Sequence, residues 1–210
     1  MAASSGTAIH NTVEDLCNLD ISDRDEGEME WLHSTAREVL ERNWKAERQE
    51  FLGTPRHPRW KSEMFSKAHD GLIGALGFLF EKAGLSKREL SEVSIQSWRQ
   101  VQDIVLETEA TLESDCGRMM GRLDLLLLDP SSSEGGVGWI VADLKTGRPP
   151  RSGLDEKVRR QLLFYRDLAK QRSPEQNSIT AEGWYSSNEK IYVAHGPSIL
   201  EEAIDAWGSM

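Results

Sequence analysis

The sequence predicts an α/β fold: a small sheet flanked by helices, with an N-terminal helical lobe. Three observations carry this reading. Up to about Val101 the apolar residues recur mainly at helical spacing. From Ile104 the period shortens to alternation and compact apolar runs, broken by clusters of Gly, Pro, Ser and Asn. Among those runs lies one further amphipathic helix, and strands interleaved with a helix are the pattern of an α/β protein.

Taken in order, Ile9, Val13 and Leu16 share a helical stripe after Gly6-Thr7. Glu28 to Phe51 is rich in Glu, Arg, Leu and Ala and reads as a long helix, with Trp31, Val39 and Leu40 as buried positions. Thr54-Pro55-Arg56-His57-Pro58 interrupts it, since proline disfavours helix at its own position and at the one before. A second long helix runs from about Trp60 to Lys82, and Gly71, Gly74 and Gly77 suit close packing on a neighbour. Ser86 with Glu89 reads as a capping box opening a third helix. Ile104 to Leu112 alternates as a strand. Gly121 to Leu128 and Trp139 to Leu144 flank the turn residues Asp129 to Gly136, hence a hairpin. Ser152 with Asp155 caps the next helix, striped by Leu154, Val158, Leu162, Tyr165 and Leu168. Ala181 to Tyr185 and Lys190 to Ala194 make a closing hairpin around Ser186-Ser187-Asn188. The chain, 1–210, reads as a single domain with 28–101 as the helical lobe and 104–194 as the core.

Composition narrows the class. With 38% hydrophobic and 29% charged residues among 210, the chain suits a globular protein with its own core. It has no apolar run of about eighteen residues and no charged-then-apolar leader, so a membrane span and a secretory signal are not expected. Two cysteines, Cys17 and Cys116, build neither a disulfide framework nor a four-thiolate metal site. A reduced, cytoplasmic setting is the expectation. The net charge of −10 argues at first against a nucleic-acid partner. Its distribution says otherwise. Residues 1–50 carry twelve acids and five bases, whereas Lys145 to Arg172 carry nine bases and three acids, a local balance of +6.

The chemistry-bearing residues sit at the ends of the hairpin runs. Asp124 lies inside Gly121-Arg122-Leu123-Asp124, and Asp143 and Lys145 end Ala142-Asp143-Leu144-Lys145-Thr146-Gly147. Residues two apart on a strand share a face, so Asp143 and Lys145 point the same way, and Asp124 can approach Asp143 if the strands pair. Taken alone, Asp-x-Lys at a strand end is an ordinary solvated ion pair worth little. Two carboxylates and an ammonium at the edge of an apolar sheet are costly unless they bind something, and a divalent cation resolves the repulsion. Within about forty residues of Gly121 there also follows a helix carrying Gln161-Leu162-Leu163-Phe164-Tyr165. Gln161 and Tyr165 lie one helical turn apart on one face.

These ordered motifs resemble the PD-(D/E)XK nuclease superfamily, and within it the RecB-like branch, which shows Gly-x-x-Asp, Asp-x-Lys-Thr-Gly and a helical Gln-x-x-x-Tyr. The branch also carries an upstream Gly-x-x-x-His, matched here by Gly6-Thr7-Ala8-Ile9-His10. The resemblance extends from Gly6 to Tyr165 and implies a restriction-endonuclease-like core with a mixed central sheet. It implies metal-dependent phosphodiester hydrolysis, usually of DNA, with Mg²⁺ or Mn²⁺ as cofactor; an imidazole ligand suits Mn²⁺ well. Asp124 and Asp143 would hold the metal, with His10 and the carbonyl of Leu144 as further ligands. Lys145 would orient or deprotonate the attacking water, and Gln161 and Tyr165 would line the site and position substrate. A glutamate on the preceding strand supports the metal in relatives; Glu107 and Glu109 are both candidates. Two cysteines exclude the relatives with a four-cysteine iron–sulfur cluster.

Other readings of the same residues stand beside these. His10 can pair with Glu14 one turn on, Tyr165 shares the apolar stripe, and Gln161 can bond locally. Arg118 and Arg122 flank the hairpin start, where they meet phosphate or solvent. Arg122, Arg148, Arg151, Arg159 and Arg160 are the expected nucleic-acid contacts. No dinucleotide fingerprint, Walker loop, nucleophile elbow or zinc-binding set is present, and no helicase motor. The expected activity is thus an exonuclease-type deoxyribonuclease of DNA repair, working with a helicase or another DNA-processing protein that supplies any processivity. It is either an excised domain or a minimal stand-alone nuclease. The rivals are an RNA-directed nuclease and a nuclease-fold scaffold without activity.

Overall fold

The structure is a computed structural model that describes residues 2–54, 59–86, 89–132, 137–151 and 153–208. The chain divides into two compact units. The first comprises Met1–Asp103, Lys145–Pro149 and Tyr185–Lys190; the second comprises Ile104–Leu144, Pro150–Trp184 and Ile191–Met210.

The first unit is helical. Helix α1 (Ala2–Cys17) buries Ile9, Val13 and Leu16, the expected stripe, together with Ala8 and Thr12. Helix α2 (Trp31–Gly53) packs on α1, and polar groups set the pairing. Asn43 Nδ2 donates to Thr12 Oγ1 (3.2 Å) and to Asp15 Oδ2 (2.9 Å), and Arg42 pairs with Asp15 at 2.8 Å. Thr54 leaves α2 in extended conformation, and the prolines that follow lie outside the described residues. Helix α3 (Met64–Lys82) starts four residues later than the sequence suggests. Its Gly74 is where a side chain has no room: a Cβ would stand 2.1 Å from the carbonyl oxygen of Ser186. The turn Ser186–Asn188 therefore packs backbone-on-helix.

The third helix differs from expectation. Ser86 does not open it. A 3₁₀ turn at Leu90–Glu92 intervenes, and helix α4 spans Ile95–Ile104. Its cap is Ser94, whose Oγ accepts from the N–H of Ser97 at 3.2 Å. Trp98 of α4 is fully buried, with Trp31 and Phe80 meeting it edge-on at 6.2 and 6.0 Å. Gln102 donates to the carbonyls of Cys17 and Leu19 (3.0 and 2.8 Å), so α4 satisfies the open end of α1.

The second unit carries a five-stranded mixed sheet in the order β1-β2-β3-β4-β5. The strands are β1 (Val105–Glu113), β2 (Met120–Asp129), β3 (Gly138–Lys145), β4 (Ile179–Tyr185) and β5 (Lys190–Val193). The pairs β1–β2 and β2–β3 are antiparallel. Helix α5 (Glu156–Arg172) connects β3 to β4, the crossover that parallel neighbours require. The N–H of Trp139 donates to the carbonyl of Ser178 at 2.8 Å, start of strand to start of strand. Ile140, Val141 and Ala142 are each 1% exposed, so β3 is covered on both faces, as an inner strand of such a sheet must be. Leu162, Leu163, Leu168 and Ala169 of α5 close one face over Leu123, Leu126, Val141 and Ala181. Each such leucine contributes about 1.5–3 kcal/mol by its burial.

Asp155, not Ser152, is the described cap of α5, its Oδ1 accepting from the N–H of Lys157 at 2.9 Å; Ser152 lies outside the described residues. A last helix, α6 (Leu200–Gly208), follows the sheet and was not legible in the periodicity. No described helix is long and apolar enough to cross a membrane.

Candidate functional site

Three acids of the second unit fall on neighbouring strands. The β2–β3 register ends at Leu125↔Ala142, and one further step sets Asp124 opposite Asp143. In place of another backbone rung, the N–H of Leu144 donates to Oδ2 of Asp124 at 2.6 Å. This short charge-assisted bond fixes the Asp124 carboxylate across the strand end. On the other side, Thr108↔Leu125 and Ala110↔Leu123 bracket Glu109 and Asp124 as a facing pair. Each offers a carboxylate oxygen within 4.8 Å of the other.

The structure decides between the two glutamates of β1. Glu107 is taken up by Arg172 through both carboxylate oxygens, one at 2.9 Å, and this pairing holds its carboxyl below the usual range. Glu109 is the one that joins Asp124. It does so in left-handed backbone conformation, φ 50°, in the middle of a strand. Such a conformation is costly for a residue with a Cβ and persists only where the surroundings impose it. Arg122, on the same face of β2 as Asp124, places Nε 2.6 Å from Oε2 of Glu109. A guanidinium thus offsets part of the repulsion between the two carboxylates.

Asp143 is 5% exposed, and its Oδ1 accepts from Gln161 Nε2 at 3.4 Å. The same amide donates to the hydroxyl oxygen of Tyr165 at 2.9 Å. Tyr165 in turn packs against Gly121, where a Cβ would come within 2.7 and 2.9 Å of two carbons of its ring. Three of the sequence motifs therefore form one connected piece: Gly121 makes room for Tyr165, Tyr165 holds Gln161, and Gln161 touches Asp143.

The other expected residues lie as follows. His10 is half-buried on α1, and Lys145, half-buried, ends β3; both belong to the first unit. Leu144 is buried between Asp143 and Lys145. The glycine of Gly-x-x-x-His has a reason that no spacing shows: a Cβ on Gly6 would stand 2.9 Å from Oγ1 of Thr146. Thus α1 is held against the residues that follow Lys145. Among the expected nucleic-acid contacts, Arg122 is paired with Glu109, and Arg160 stands 3.6 Å from Glu202. Arg159 is bonded to Glu156 (2.8 and 2.9 Å) and to the carbonyl of His195 (3.1 Å). Arg166, Lys170 and Arg172 are likewise bonded to Asp167, to carbonyls and to Glu107. Arg148 and Arg151 are exposed and outside these pairings.

The donor set fits a hard divalent cation. Glu109 and Asp124 converge through oxygens only, the ligand type that Mg²⁺ and Mn²⁺ prefer, with a third carboxylate on the adjoining strand.

The sheet thus brings Glu109, Asp124 and Asp143 together on three neighbouring strands, with Asp143 in an Asp-x-Lys sequence at the end of β3. The family model of the PD-(D/E)XK nuclease superfamily matches residues 1–207, and the chain belongs to that superfamily. Membership points to nuclease activity, and so to a nucleic-acid substrate, hydrolysis of phosphodiester bonds and divalent metal. No curated protein matches the sequence.

Proposed function

We propose that the chain is a Mg²⁺- or Mn²⁺-dependent deoxyribonuclease of RecB-like type, acting as an exonuclease on DNA. The observation that carries this is the Glu109–Asp124 carboxylate pair, facing across β1 and β2 next to Asp143, in a member of a nuclease superfamily. Asp124, Asp143 and Glu109 would hold the ion, joined by His10 and the carbonyl of Leu144 on the strength of the motif match. The ion, when bound, supplies Lewis acidity at the phosphoryl oxygens.

The protein's own groups do the rest. Lys145, on the face of β3 that Asp143 shares, orients the attacking water and offsets charge that develops on phosphorus. Water adds to phosphorus, one P–O ester bond breaks, and the departing oxygen takes a proton. Gln161 and Tyr165 keep Asp143 in place and border the substrate. Arg148 and Arg151 meet phosphates directly, whereas Arg122, Arg159 and Arg160 do so by exchanging their present partners. A separate DNA-processing protein, such as a helicase, supplies any processivity, in a reduced cytoplasmic setting and in DNA repair.

The test is cleavage of linear, circular, single- and double-stranded DNA and of RNA, with Asp143→Ala and Lys145→Ala as variants. Both variants should lose metal-dependent cleavage with unchanged thermal unfolding. Full cleavage by either removes the assignment, and equal cleavage of RNA removes the DNA specificity. Calorimetric titration with Mn²⁺ should show binding that Asp124→Asn weakens.

A further inference from the structure

The first unit contains a cavity of about 280 Å³ that none of the site residues above lines. Its polar lining is Ser5 of α1, Lys67 and Asp70 of α3, Thr146 and Ser187; Ile9 and Met64 give it an apolar side. We propose that this cavity takes one unpaired nucleotide of the substrate, next to the phosphate that is cut. The inference rests on the nuclease reading and names the form of substrate it takes.

Size is the first argument. Small-molecule sites span roughly 300–1,000 Å³, so a cavity at the lower edge takes one nucleotide and not two. The lining is the second. An inorganic anion alone would meet the carboxylate of Asp70, and an apolar ligand would leave Lys67 and Asp70 without exchange for their water. A nucleotide answers each group. Its flat base lies on Ile9 and Met64, a soft thioether suited to aromatic contact. Base N–H groups donate to Asp70, hydroxyls that both donate and accept complete the edge, and Lys67 meets the phosphate. Lys67 and Asp70 are three apart on α3 and so are neighbours on one face. Ser5 is 8% exposed, already inside the wall and not a solvated hydroxyl.

Position is the third. Thr146 directly follows Lys145, and consecutive Cα atoms are about 3.8 Å apart. A nucleotide against Thr146 is therefore held one residue along the chain from Lys145, the group proposed to act on the phosphate. A base held this way cannot remain stacked and paired in a duplex, and taking it out has an unpairing cost. Single strands and frayed ends are the preferred substrates, ahead of duplex interiors.

The experiment uses the full chain in EDTA, so that nothing is cut. Calorimetry compares deoxyguanosine and deoxycytidine 5′-monophosphates with deoxyguanosine and with inorganic phosphate. The nucleotides should bind more tightly than either fragment. Lys67→Ala and Asp70→Ala, both at exposed positions, should each weaken binding about tenfold, the worth of one charge-assisted hydrogen bond. With metal present, the same variants should raise KM for single-stranded DNA while kcat changes far less. Nucleotides that bind no better than phosphate, or variants that bind as the parent does, overturn the proposal. If Asp143→Ala abolishes cleavage while the pocket variants bind and cut normally, the pocket alone fails. If nucleotides bind through Lys67 and Asp70 but no nucleic acid is cut, the nuclease reading alone fails.

Discussion

Gly121→Ala tests whether the Gly-x-x-Asp glycine serves the site through Tyr165. A methyl group at Gly121 would lie 2.7 Å from one ring carbon and 2.9 Å from another, against the 3.4 Å at which ordinary contact begins. The ring must therefore retreat by about 0.7 Å, and Phe164, 3.2 Å from the same point, hinders the retreat. Forcing a methyl into a packed site costs about 1–3 kcal/mol. A ring that moves this far also stretches the 2.9 Å bond between Tyr165 and Gln161 beyond hydrogen-bond length. Gln161 then loses its anchor beside Asp143. Urea unfolding should show the stability loss, and cleavage should fall with it. A double-mutant cycle isolates the cause: in a Tyr165→Ala background the same methyl should cost much less. An equal penalty in both backgrounds, or none in either, refutes the reasoning.

Two further predictions concern groups away from the reaction. Asp167 is 7% exposed, and its Oδ2 accepts from Ser198 Oγ (2.9 Å) and from the N–H groups of Ile199 (2.6 Å) and Leu200 (3.3 Å). Asp167→Ala leaves the buried N–H groups of Ile199 and Leu200 without that acceptor and should cost at least about 2 kcal/mol in urea unfolding, more than Asp167→Asn, which keeps one oxygen. Burial, with a smaller push from Glu14, raises the Cys17 thiol to about 12 from 9.0. The unfolded chain then ionises first, so stability should be level below pH 9 and decline as pH rises from 9 toward 12. Cys17→Val should remove that share of the decline, and exposed Cys116 should react with a thiol reagent well before Cys17 does.

Periodicity carried the element types. The two apolar runs and the alternating strand became β1, β2 and β3, and the amphipathic stripe became α5, because each pattern is local and reports its own burial. What local pattern cannot report is a partner far along the chain. Gly6 answers to Thr146 and Gly121 to Tyr165, so both motif glycines looked like spacing without a cause. Helix α6 is only nine residues long and starts on a carboxylate from α5, more than thirty positions earlier. Ser86 with Glu89 had the right letters for a cap, but tertiary packing opened the helix at Ser94 instead. The basic segment was legible as charge but not as surface. Arg159, Arg166 and Arg172 spend their guanidinium donors on Glu156, Asp167 and Glu107 and on loop carbonyls, so a count of +6 overstates what faces a phosphate. A single spacing rule also could not separate Glu107 from Glu109, because regular strand geometry gives both the same face.

Glu109 itself shows how far this site departs from a relaxed sheet. A non-glycine residue at φ 50° inside a strand costs about 1–2 kcal/mol, and its carboxylate faces that of Asp124 within 4.8 Å. The pair with Arg122 offsets only part of this, since that arginine is 66% exposed and its field is screened by water. If strain and repulsion are retained for the metal, removing them should stabilise the fold and damage the chemistry together. Glu109→Gly relieves the backbone and deletes one of the facing charges. It should raise stability by about 1 kcal/mol, a rise of roughly 2–4 °C in Tm for a chain of this size, while weakening Mn²⁺ binding and cleavage. Glu109→Asn, which tolerates the left-handed region better than most residues, should show the same signs more weakly. A Glu109→Gly protein that melts earlier than the parent would place the cost elsewhere. One that melts later yet cleaves normally would remove Glu109 from the metal site.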